Sequence, residues 1–323
     1  MNRILAFFAF LAVGVFPSVA LSYAAEPQKQ WAVVDISSCF LRAQPDYESG
    51  NESQCLMGTV VEITGSDRYW RRVNAPDYRN VWTNELALVP MSEAQIRAYK
   101  AAPKWVCTSE HSYIYTAPDR NSERIGDFSM GDIVRKASKP APRGWCSVLT
   151  ASGKDGWVPS EDVRDLDEWA GSVKATGGSL VATAKRFLGT PYMWGGNTAK
   201  YFDCSGLVKL VYMMNGIVLP RNAREQIRCG EAVPYDFSKM QPGDLIFYGR
   251  MGSDGKPASV AHVAMYIGDG RIIHSSQYVR INSLVKGQPD YYERETVGVC
   301  RILGNVDKGK GIRSAAVAPW YFQ

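Results

Sequence analysis

The chain has 323 residues, of which 46% are hydrophobic and 21% are charged, a globular composition that excludes collagen-like, coiled-coil and low-complexity proteins. The net charge of +5 comes from 37 Lys and Arg against 32 Asp and Glu, spread along the chain without a basic run. We therefore expect no nucleic-acid partner. At this length, two or three domains are expected rather than one core.

The N-terminal segment predicts export. Residues 1–24 carry one early charge, Arg3, then an apolar stretch over 4–15, and end in small residues around Ala24, which is the layout of a secretory signal peptide. The apolar stretch is short for a bilayer span, and no later stretch reaches the roughly 20 apolar residues that a span needs. Because the first cysteine, Cys39, lies beyond the cleavage region, we expect no lipid anchor. The sequence predicts a soluble periplasmic or secreted protein.

Seven cysteines in an exported protein raise the question of disulfides, and an odd number leaves one thiol over. Their positions suggest three hypothetical pairs: Cys39 with Cys55, Cys107 with Cys146, and Cys229 with Cys300. The sequence does not choose among the many connectivities that six cysteines allow. In this scheme Cys204 is the unpaired thiol.

Two consecutive segments of the chain resemble each other. Residues 41–45 match 114–118, residues 58–61 match 131–134, and Trp70 and Trp82 match Trp145 and Trp157. Each copy consists of short alternating apolar strands separated by turn residues, which predicts two small all-β barrels. The order of these features resembles the bacterial SH3-like domain of cell-wall proteins. We place the two modules at 25–95 and 96–168, with a helical connector over 92–99.

After the second module the pattern changes to that of an α+β domain, which we place at 169–306, followed by a tail over 307–323. We predict a helix over 179–187 with Ser179 as its N-cap, and a second helix that begins at Cys204. Three short strands follow, over 244–248, 262–268 and 271–274. Helices followed by a run of antiparallel strands are typical of the α+β class.

Three side chains in this last domain form a candidate catalytic set. Cys204 lies at a helix N-terminus, where the helix dipole and free N–H groups lower a thiol pKa. The turn at 268–270 predicts a hairpin that brings His274 beside His262. A thiolate, a base and a group that orients the base are the requirements of nucleophilic acyl transfer. We assign Cys204, His262 and His274 to these roles in that order.

Two other interpretations of the same side chains are open. A buried cysteine is often an inert hydrophobe, and a strand histidine is often a core residue with a structural hydrogen bond. One thiolate and two imidazoles are also good zinc ligands, but the sequence offers no CxxC or HxxxH pair and no obvious fourth ligand. We therefore expect neither a metal nor any other cofactor.

A set of sequence blocks carries a specific resemblance. The blocks are Pro191-Tyr192-Met193-Trp194-Gly195-Gly196, Phe202-Asp203-Cys204-Ser205-Gly206-Leu207-Val208, Leu219-Pro220-Arg221, Gln226, Pro242-Gly243-Asp244-Leu245-Ile246-Phe247 and 262–268, closed by His274. Over 178–304 the chain resembles the NlpC-type cell-wall peptidases, which are papain-like cysteine peptidases. With two SH3-like modules ahead of it, the chain is similar to the γ-D-glutamyl-L-diamino-acid endopeptidases, also called dipeptidyl-peptidase VI, which cut peptidoglycan stem peptides.

The resemblance implies further site residues. Tyr192 corresponds to the phenol that helps to bind the oxyanion, and Asp203, Ser205 and Trp194 correspond to residues of the acyl-side pocket. In the family this pocket takes an L-Ala with a free amino group, and Asp203 is chemically suited to pair with an ammonium. The first SH3-like module closes the family pocket with an acidic residue and a tyrosine, for which Glu52 and Tyr78 are the candidates. One departure is Asn222, where the family often has Asp after Leu-Pro-Arg.

The resemblance therefore implies a monomeric peptidase that cleaves the γ-D-glutamyl bond to a diamino acid in short peptides beginning with L-Ala. Two alternatives remain: a wall-binding adaptor with little activity, and a papain-like amidase or acyltransferase with another amide or ester substrate.

Overall fold

The computed structural model describes residues 29–316. The expected signal peptide at 1–24 and the last part of the tail, 317–323, lie outside the described residues. Among the residues described, no helix has the length and apolar character needed to cross a membrane.

The first module is one antiparallel sheet of seven strands. They are β1 (Gln30–Val34), β2 (Cys39–Arg42), β3 (Asn51–Cys55), β4 (Val60–Asp67), β5 (Trp70–Asn74), β6 (Val81–Asn84) and β7 (Leu88–Met91), with a short 3-10 helix at Glu85–Ala87. The spatial order is β3-β2-β6-β5-β4-β1-β7, so β3 lies at an edge. Alternating residues such as Cys39 and Leu41 face the module core, as the period of a half-buried strand requires.

The second module repeats the first. Helix α1 (Glu93–Ala101), which Ser92 caps, connects the two. Its strands are β8 (Lys104–Cys107), β9 (His111–Tyr115), β10 (Arg124–Ser129), β11 (Ile133–Lys136), β12 (Trp145–Leu149), β13 (Asp155–Pro159) and β14 (Val163–Asp165), with a 3-10 helix at Ser160–Asp162. Their order, β10-β9-β13-β12-β11-β8-β14, is that of the first module strand for strand. The predicted tandem of two all-β modules is confirmed.

A buried carboxylate joins the two modules. Asp132 is fully buried, and its Oδ1 accepts a hydrogen bond from the backbone N–H of Met57 in the first module at 2.8 Å. Its Oδ2 accepts from the backbone N–H and the hydroxyl of Ser129 at 2.7 and 3.0 Å. Because unpaired buried polar groups are costly, these bonds fix the first module against the second.

The third domain combines helices with a six-stranded antiparallel sheet. Its elements are α2 (Leu166–Ser172), α3 (Gly177–Lys185), β15 (Asn197–Thr198), β16 (Tyr201–Phe202), α4 (Cys204–Met213), β17 (Ile217–Val218), α5 (Ala223–Gln226), β18 (Glu231–Ala232), β19 (Leu245–Met251), β20 (Pro257–Gly268), β21 (Arg271–Ser276), β22 (Tyr278–Ser283), β23 (Thr296–Arg301) and β24 (Arg313–Ser314). The sheet order is β18-β23-β19-β20-β21-β22. The α+β class is confirmed.

One helix start differs from the prediction. Thr176, not Ser179, is the N-cap of α3, so the predicted cap was wrong. The Thr176 hydroxyl accepts from the Ser179 N–H at 3.0 Å, and the Ser179 hydroxyl accepts from the Thr176 N–H at 2.9 Å. Ser179 is therefore the third helical residue of a reciprocal capping box. Because Thr176 and Ser179 both carry a hydroxyl, the sequence alone does not show which of them is the N-cap.

Helix α4 is the central element of the third domain. Every residue from Ser205 to Met213 is buried, and the helix packs against β20 and β21. Its first turn approaches the loop before β15 so closely that a Cβ at Gly206 would lie 2.0 Å from the carbonyl oxygen of Gly196. Only glycine fits there. In the tail, β24 pairs with β17, and Ala315 is buried, so the described part of the tail is packed.

All seven cysteines are free thiols in the structure. Cys39 and Cys55 are direct partners across β2 and β3. Cys107 and Cys146 lie on β8 and β12, which flank β11 and are therefore not neighbours. None of the hypothetical pairs is bonded.

Candidate active site

The three candidate catalytic side chains lie together at the junction of α4 and the sheet. Cys204 begins α4, and the Cys204 thiol is hydrogen bonded to the backbone of Val263 in β20. His262 precedes Val263 on the same strand, and His274 lies on the neighbouring β21. The Nε2 atom of His262 is 2.8 Å from the Nδ1 atom of His274. Within 29–316, no group of three or more His, Cys, Asp and Glu side chains is arranged to hold a metal ion.

A chain of hydrogen bonds fixes the tautomers of both rings. The Asn282 amide nitrogen donates to the backbone oxygen of Asp290 at 2.7 Å, so the Asn282 amide oxygen faces His274 Nε2, at 3.0 Å. His274 therefore carries its proton on Nε2 and accepts at Nδ1 from His262 Nε2. The remaining nitrogen of His262, Nδ1, keeps its lone pair and is the candidate base of the set.

Burial keeps the thiol and the imidazoles neutral in the unliganded protein. It raises the pKa of Cys204 to about 11, and the nearby Asp203 charge adds to this effect. It lowers the pKa of His262 to about 3 and that of His274 to about 4. The helix N-terminus was expected to lower the thiol pKa, but desolvation outweighs it here. A neutral thiol must transfer its proton to a base in order to attack, and His262 is the candidate for that base.

Tyr192 lies beside Cys204 with its phenol protonated. Burial, with smaller contributions from Cys204 and Asp203, raises the pKa of Tyr192 to about 12. The segment is held by the Tyr192 backbone N–H, which donates to the Gln277 oxygen at 2.8 Å. A protonated phenol at this place can donate to an oxyanion together with the Cys204 backbone N–H, the role that the resemblance implies.

A buried ion pair organises the residues around the nucleophile. The Arg221 guanidinium donates to both carboxylate oxygens of Asp203, at 3.0 and 2.6 Å, and to the hydroxyl of Ser205 at 3.0 Å. The same carboxylate accepts from the Ser205 hydroxyl and from the N–H groups of Gly195 and Gly206. A carboxylate has only about four lone-pair sites, so those of Asp203 are already occupied. Asp203 caps α4 and positions its neighbours, and its charge is balanced by Arg221.

A cavity of about 280 Å³ opens beside the thiol. Its lining residues are Glu52, Tyr78, Tyr192, Trp194, Asp203, Cys204, Ser205, Asn222, Ala223, Arg224, Val260 and Ala261. All the predicted pocket residues are thus brought together, although Trp194 lies at the rim with 70% of its surface exposed. Tyr78 donates to the Asn222 amide oxygen at 3.0 Å, and burial raises the Tyr78 pKa. One wall of the cavity therefore comes from the first β module.

Within that wall, Tyr78 lies in the loop between β5 and β6, and Glu52 lies on edge strand β3, which is hydrogen bonded to the third domain along its length. The Asn51 amide donates to the Trp194 oxygen at 3.0 Å, and the Arg221 Nε donates to the Ser53 hydroxyl at 2.9 Å. The Asn197 N–H donates to the Gln54 side chain at 2.9 Å. Glu52 lies between these anchors. In the described residues its carboxylate has no hydrogen bond or ion pair, which leaves it available to a ligand.

Three residues of the site received no role from the sequence. From the sequence, Arg221 was noted only as the last residue of the Leu219-Pro220-Arg221 block, because its partner Asp203 is distant along the chain. Asn282 lies on β22 outside any motif. Tyr292 packs edge-on against His274, with ring centroids 4.5 Å apart, and its buried hydroxyl has no partner among the described residues. Only the pairing of β21 with β22 brings Asn282 to the histidines.

Comparison with known proteins identifies similar chains. The sequence profile of the NlpC/P60 family matches residues 189–301. A γ-D-glutamyl-L-lysine dipeptidyl-peptidase of Bacillus cereus is 37% identical over 260 residues, which cover 78% of this chain and 75% of the relative. The protein of the same name from Bacillus subtilis is 36% identical, over 77% of this chain and 80% of the relative. A crystal structure of an NlpC/P60 family protein from Bacillus cereus superposes with a TM-score of 0.69 at 27% identity, over 84% of this chain and 99% of that one.

The neutral state of the thiol predicts how its reactivity depends on pH. Below a pKa of about 11, the thiolate fraction rises about tenfold per pH unit, so alkylation of Cys204 by iodoacetamide should accelerate continuously from roughly pH 6 to roughly pH 9. The rate is measured by mass spectrometry, and Cys204→Ala reports the background of the other thiols. A plateau that is already reached near neutral pH would instead show a preformed thiolate–imidazolium pair.

Asn282 is expected to act as a positioning residue through His274. Asn282→Leu removes the acceptor that fixes the tautomer, so kcat should fall about tenfold or more with little change in KM, since Asn282 does not line the cavity. Asn282→Asp keeps an acceptor and adds a negative charge, which stabilises imidazolium and moves the acid limb of the kcat profile to higher pH. Unchanged kcat in the leucine variant, or an unmoved limb in the aspartate variant, would contradict this role.

Proposed function

The chain belongs to the NlpC/P60 family and is a cysteine peptidase, and we propose that it hydrolyses the γ-D-glutamyl bond to a diamino acid in short peptidoglycan peptides that begin with L-Ala. Two relatives that it matches over most of their length are named γ-D-glutamyl-L-lysine dipeptidyl-peptidases. The proposal rests on the cavity beside Cys204, which the first module lines with Glu52 and Tyr78.

The proposed reaction is a thiol acyl transfer. The Cys204 sulfur attacks the γ-carbonyl carbon while His262 Nδ1 takes the thiol proton, and the oxyanion is stabilised by Tyr192 and the Cys204 N–H. His262 then protonates the leaving amine, the C–N bond breaks and a thioester remains. Water attacks the thioester with His262 as base, which releases the L-Ala-γ-D-Glu dipeptide and restores the thiol. His274, held by Asn282, keeps His262 in the tautomer whose Nδ1 is unprotonated and can accept the proton.

The charge distribution of the cavity supports an ammonium site at Glu52. Asp203 was the candidate for this role, but its carboxylate is already bonded to Arg221. Asn222, in place of the family aspartate, supplies only an amide, and its Nδ2 donates to Glu225 at 3.3 Å. The acidic side chain that lines the cavity without a partner among the described residues is Glu52. An L-Ala ammonium beside Glu52 would form a charge-assisted pair in a half-buried setting.

A closed acyl side limits the substrate. If the amino terminus meets the wall formed by β3, there is room for two residues ahead of the scissile bond. The enzyme would then trim released or amidase-processed peptides and spare the glycan-linked wall. We also propose that it acts outside the cytoplasm, periplasmic or secreted, on the basis of the signal-peptide pattern at 1–24.

Mass spectrometry of digests tests the reaction directly. L-Ala-γ-D-Glu-diaminopimelate should yield L-Ala-γ-D-Glu, whereas the N-acetylated peptide should resist, because acetylation removes the ammonium and lengthens the acyl side. Cys204→Ala should release nothing, since it lacks the nucleophile. Cleavage of both peptides by the wild type would keep the peptidase and discard the closed pocket. Cleavage of neither would favour the wall-binding or other acyl-transfer alternatives.

Glu52 can be tested apart from the catalytic set. Glu52→Gln keeps the size of the side chain but removes its charge, so kcat/KM for the free-amine peptide should fall about tenfold, mainly through KM. Glu48→Gln is the matched control, because Glu48 is an exposed acid of the same module outside the cavity. Equal kcat/KM for both variants would remove Glu52 from the ammonium site.

A further inference from the structure

A second groove continues from the catalytic cavity. It has a volume of about 610 Å³ and is lined by Arg224, Ile227, Arg228, Lys256, Pro257, Ala258, Ser259 and Val260. Arg224 and Val260 line both the groove and the cavity that contains Cys204, so the two spaces meet at these residues. The groove is built from the α5 region and the start of β20, and no residue of either β module lines it.

The groove is positively charged. Arg224, Arg228 and Lys256 line it, and no acidic side chain does. In the part of the chain that the structure describes, none of the three forms an ion pair, and all are exposed. Two acids lie close by. Glu225 accepts hydrogen bonds from Asn222, and Asp254 accepts one from the backbone N–H of Lys256 at 3.1 Å.

The position of the groove suits the leaving group of the proposed substrate. The acyl part of the substrate, on the proposed function, occupies the cavity with its ammonium against Glu52. The scissile carbonyl then lies at Cys204, and the chain beyond it must leave through a side of the cavity that the first module does not close. The opening between Arg224 and Val260 is such a side. The groove beyond it can hold the diamino acid.

We propose that this groove binds the leaving residue and favours a diamino acid with a second carboxylate, of the diaminopimelate type, over lysine. The inference rests on the proposed function. A lysine side chain ends in a single ammonium, which the three cations repel. A diaminopimelate side chain ends in an ammonium and a carboxylate, and the carboxylate can pair with Arg228 and Lys256. The preference departs from the L-lysine that appears in the names of the two Bacillus relatives.

The test compares two tripeptides that differ only in that second carboxylate, L-Ala-γ-D-Glu-L-Lys and L-Ala-γ-D-Glu-meso-diaminopimelate. In the wild type, kcat/KM should be about tenfold higher for the diaminopimelate peptide. In the double variant Arg228→Gln/Lys256→Gln this preference should shrink to about twofold or less, with a gain for the lysine peptide because repulsion is removed. Because the cations are exposed, about 0.5 M salt should weaken the preference in the wild type.

Lys185→Gln is the matched control, since Lys185 is an exposed cation of the same domain that lines neither space. It should keep the wild-type preference. Equal kcat/KM for both peptides in the wild type, or an equal loss for both in the double variant, overturns the proposal while leaving the peptidase intact.

A third peptide, with the α-carboxylate of D-Glu amidated, separates the two sides of the bond. If the double variant changes only the discrimination against this amide, the groove serves the acyl side and the proposal is wrong. Cleavage of none of the peptides would overturn the proposed function itself.

Discussion

The site depends on one buried guanidinium. Arg221 is 2% exposed and donates to Asp203, to Ser205, to the Gly196 carbonyl and to Ser53 of the first module. These contacts join the N-terminus of the catalytic helix, the loop that carries Tyr192 and the edge strand that carries Glu52. Breaking such a buried pair from one side costs about 3–5 kcal/mol, because the remaining charge is stranded without solvent. The Arg221–Asp203 pair thus couples the position of Cys204 to the position of the pocket wall in the first module.

The first module consequently contributes to the candidate site together with the third domain. Edge strands usually present unpaired groups that proteins must protect. Here β3 is protected by polar contacts with the third domain through Asn51, Ser53 and Gln54. A second buried ion pair, between Lys209 of α4 and Asp77 of the module, at 2.8 Å, lies at the same boundary. If the module closes the acyl side, as proposed, the length of the substrate ahead of the scissile bond is limited by the contact between the module and the third domain.

Local patterns in the sequence predicted most of the elements and pointed to the candidate catalytic residues that the fold brings together. They missed residues whose partners are distant along the chain. The repeat, the α+β class and the helix at Cys204 follow from periodicity and turn residues, which are local. Arg221 and Asn282 act through partners that only the tertiary fold brings close, so no spacing rule reveals them. The thiol pKa was expected to fall because the helix N-terminus is visible in sequence, whereas the desolvation that raises it depends on packing around Cys204. The N-cap of α3 was predicted at Ser179 but lies at Thr176, because both residues carry a hydroxyl that suits the role and the sequence does not distinguish them.

The most direct test is a crystal structure of the Cys204→Ala variant with L-Ala-γ-D-Glu-diaminopimelate. We expect it to show the L-Ala ammonium within hydrogen-bond distance of the Glu52 carboxylate, with Asp203 still paired to Arg221, and the γ-carbonyl oxygen facing Tyr192. We also expect the leaving residue at the opening between Arg224 and Val260. An ammonium bound to Asp203 with Arg221 displaced, or an amino terminus directed away from the first module, would contradict the claim that β3 closes the acyl side.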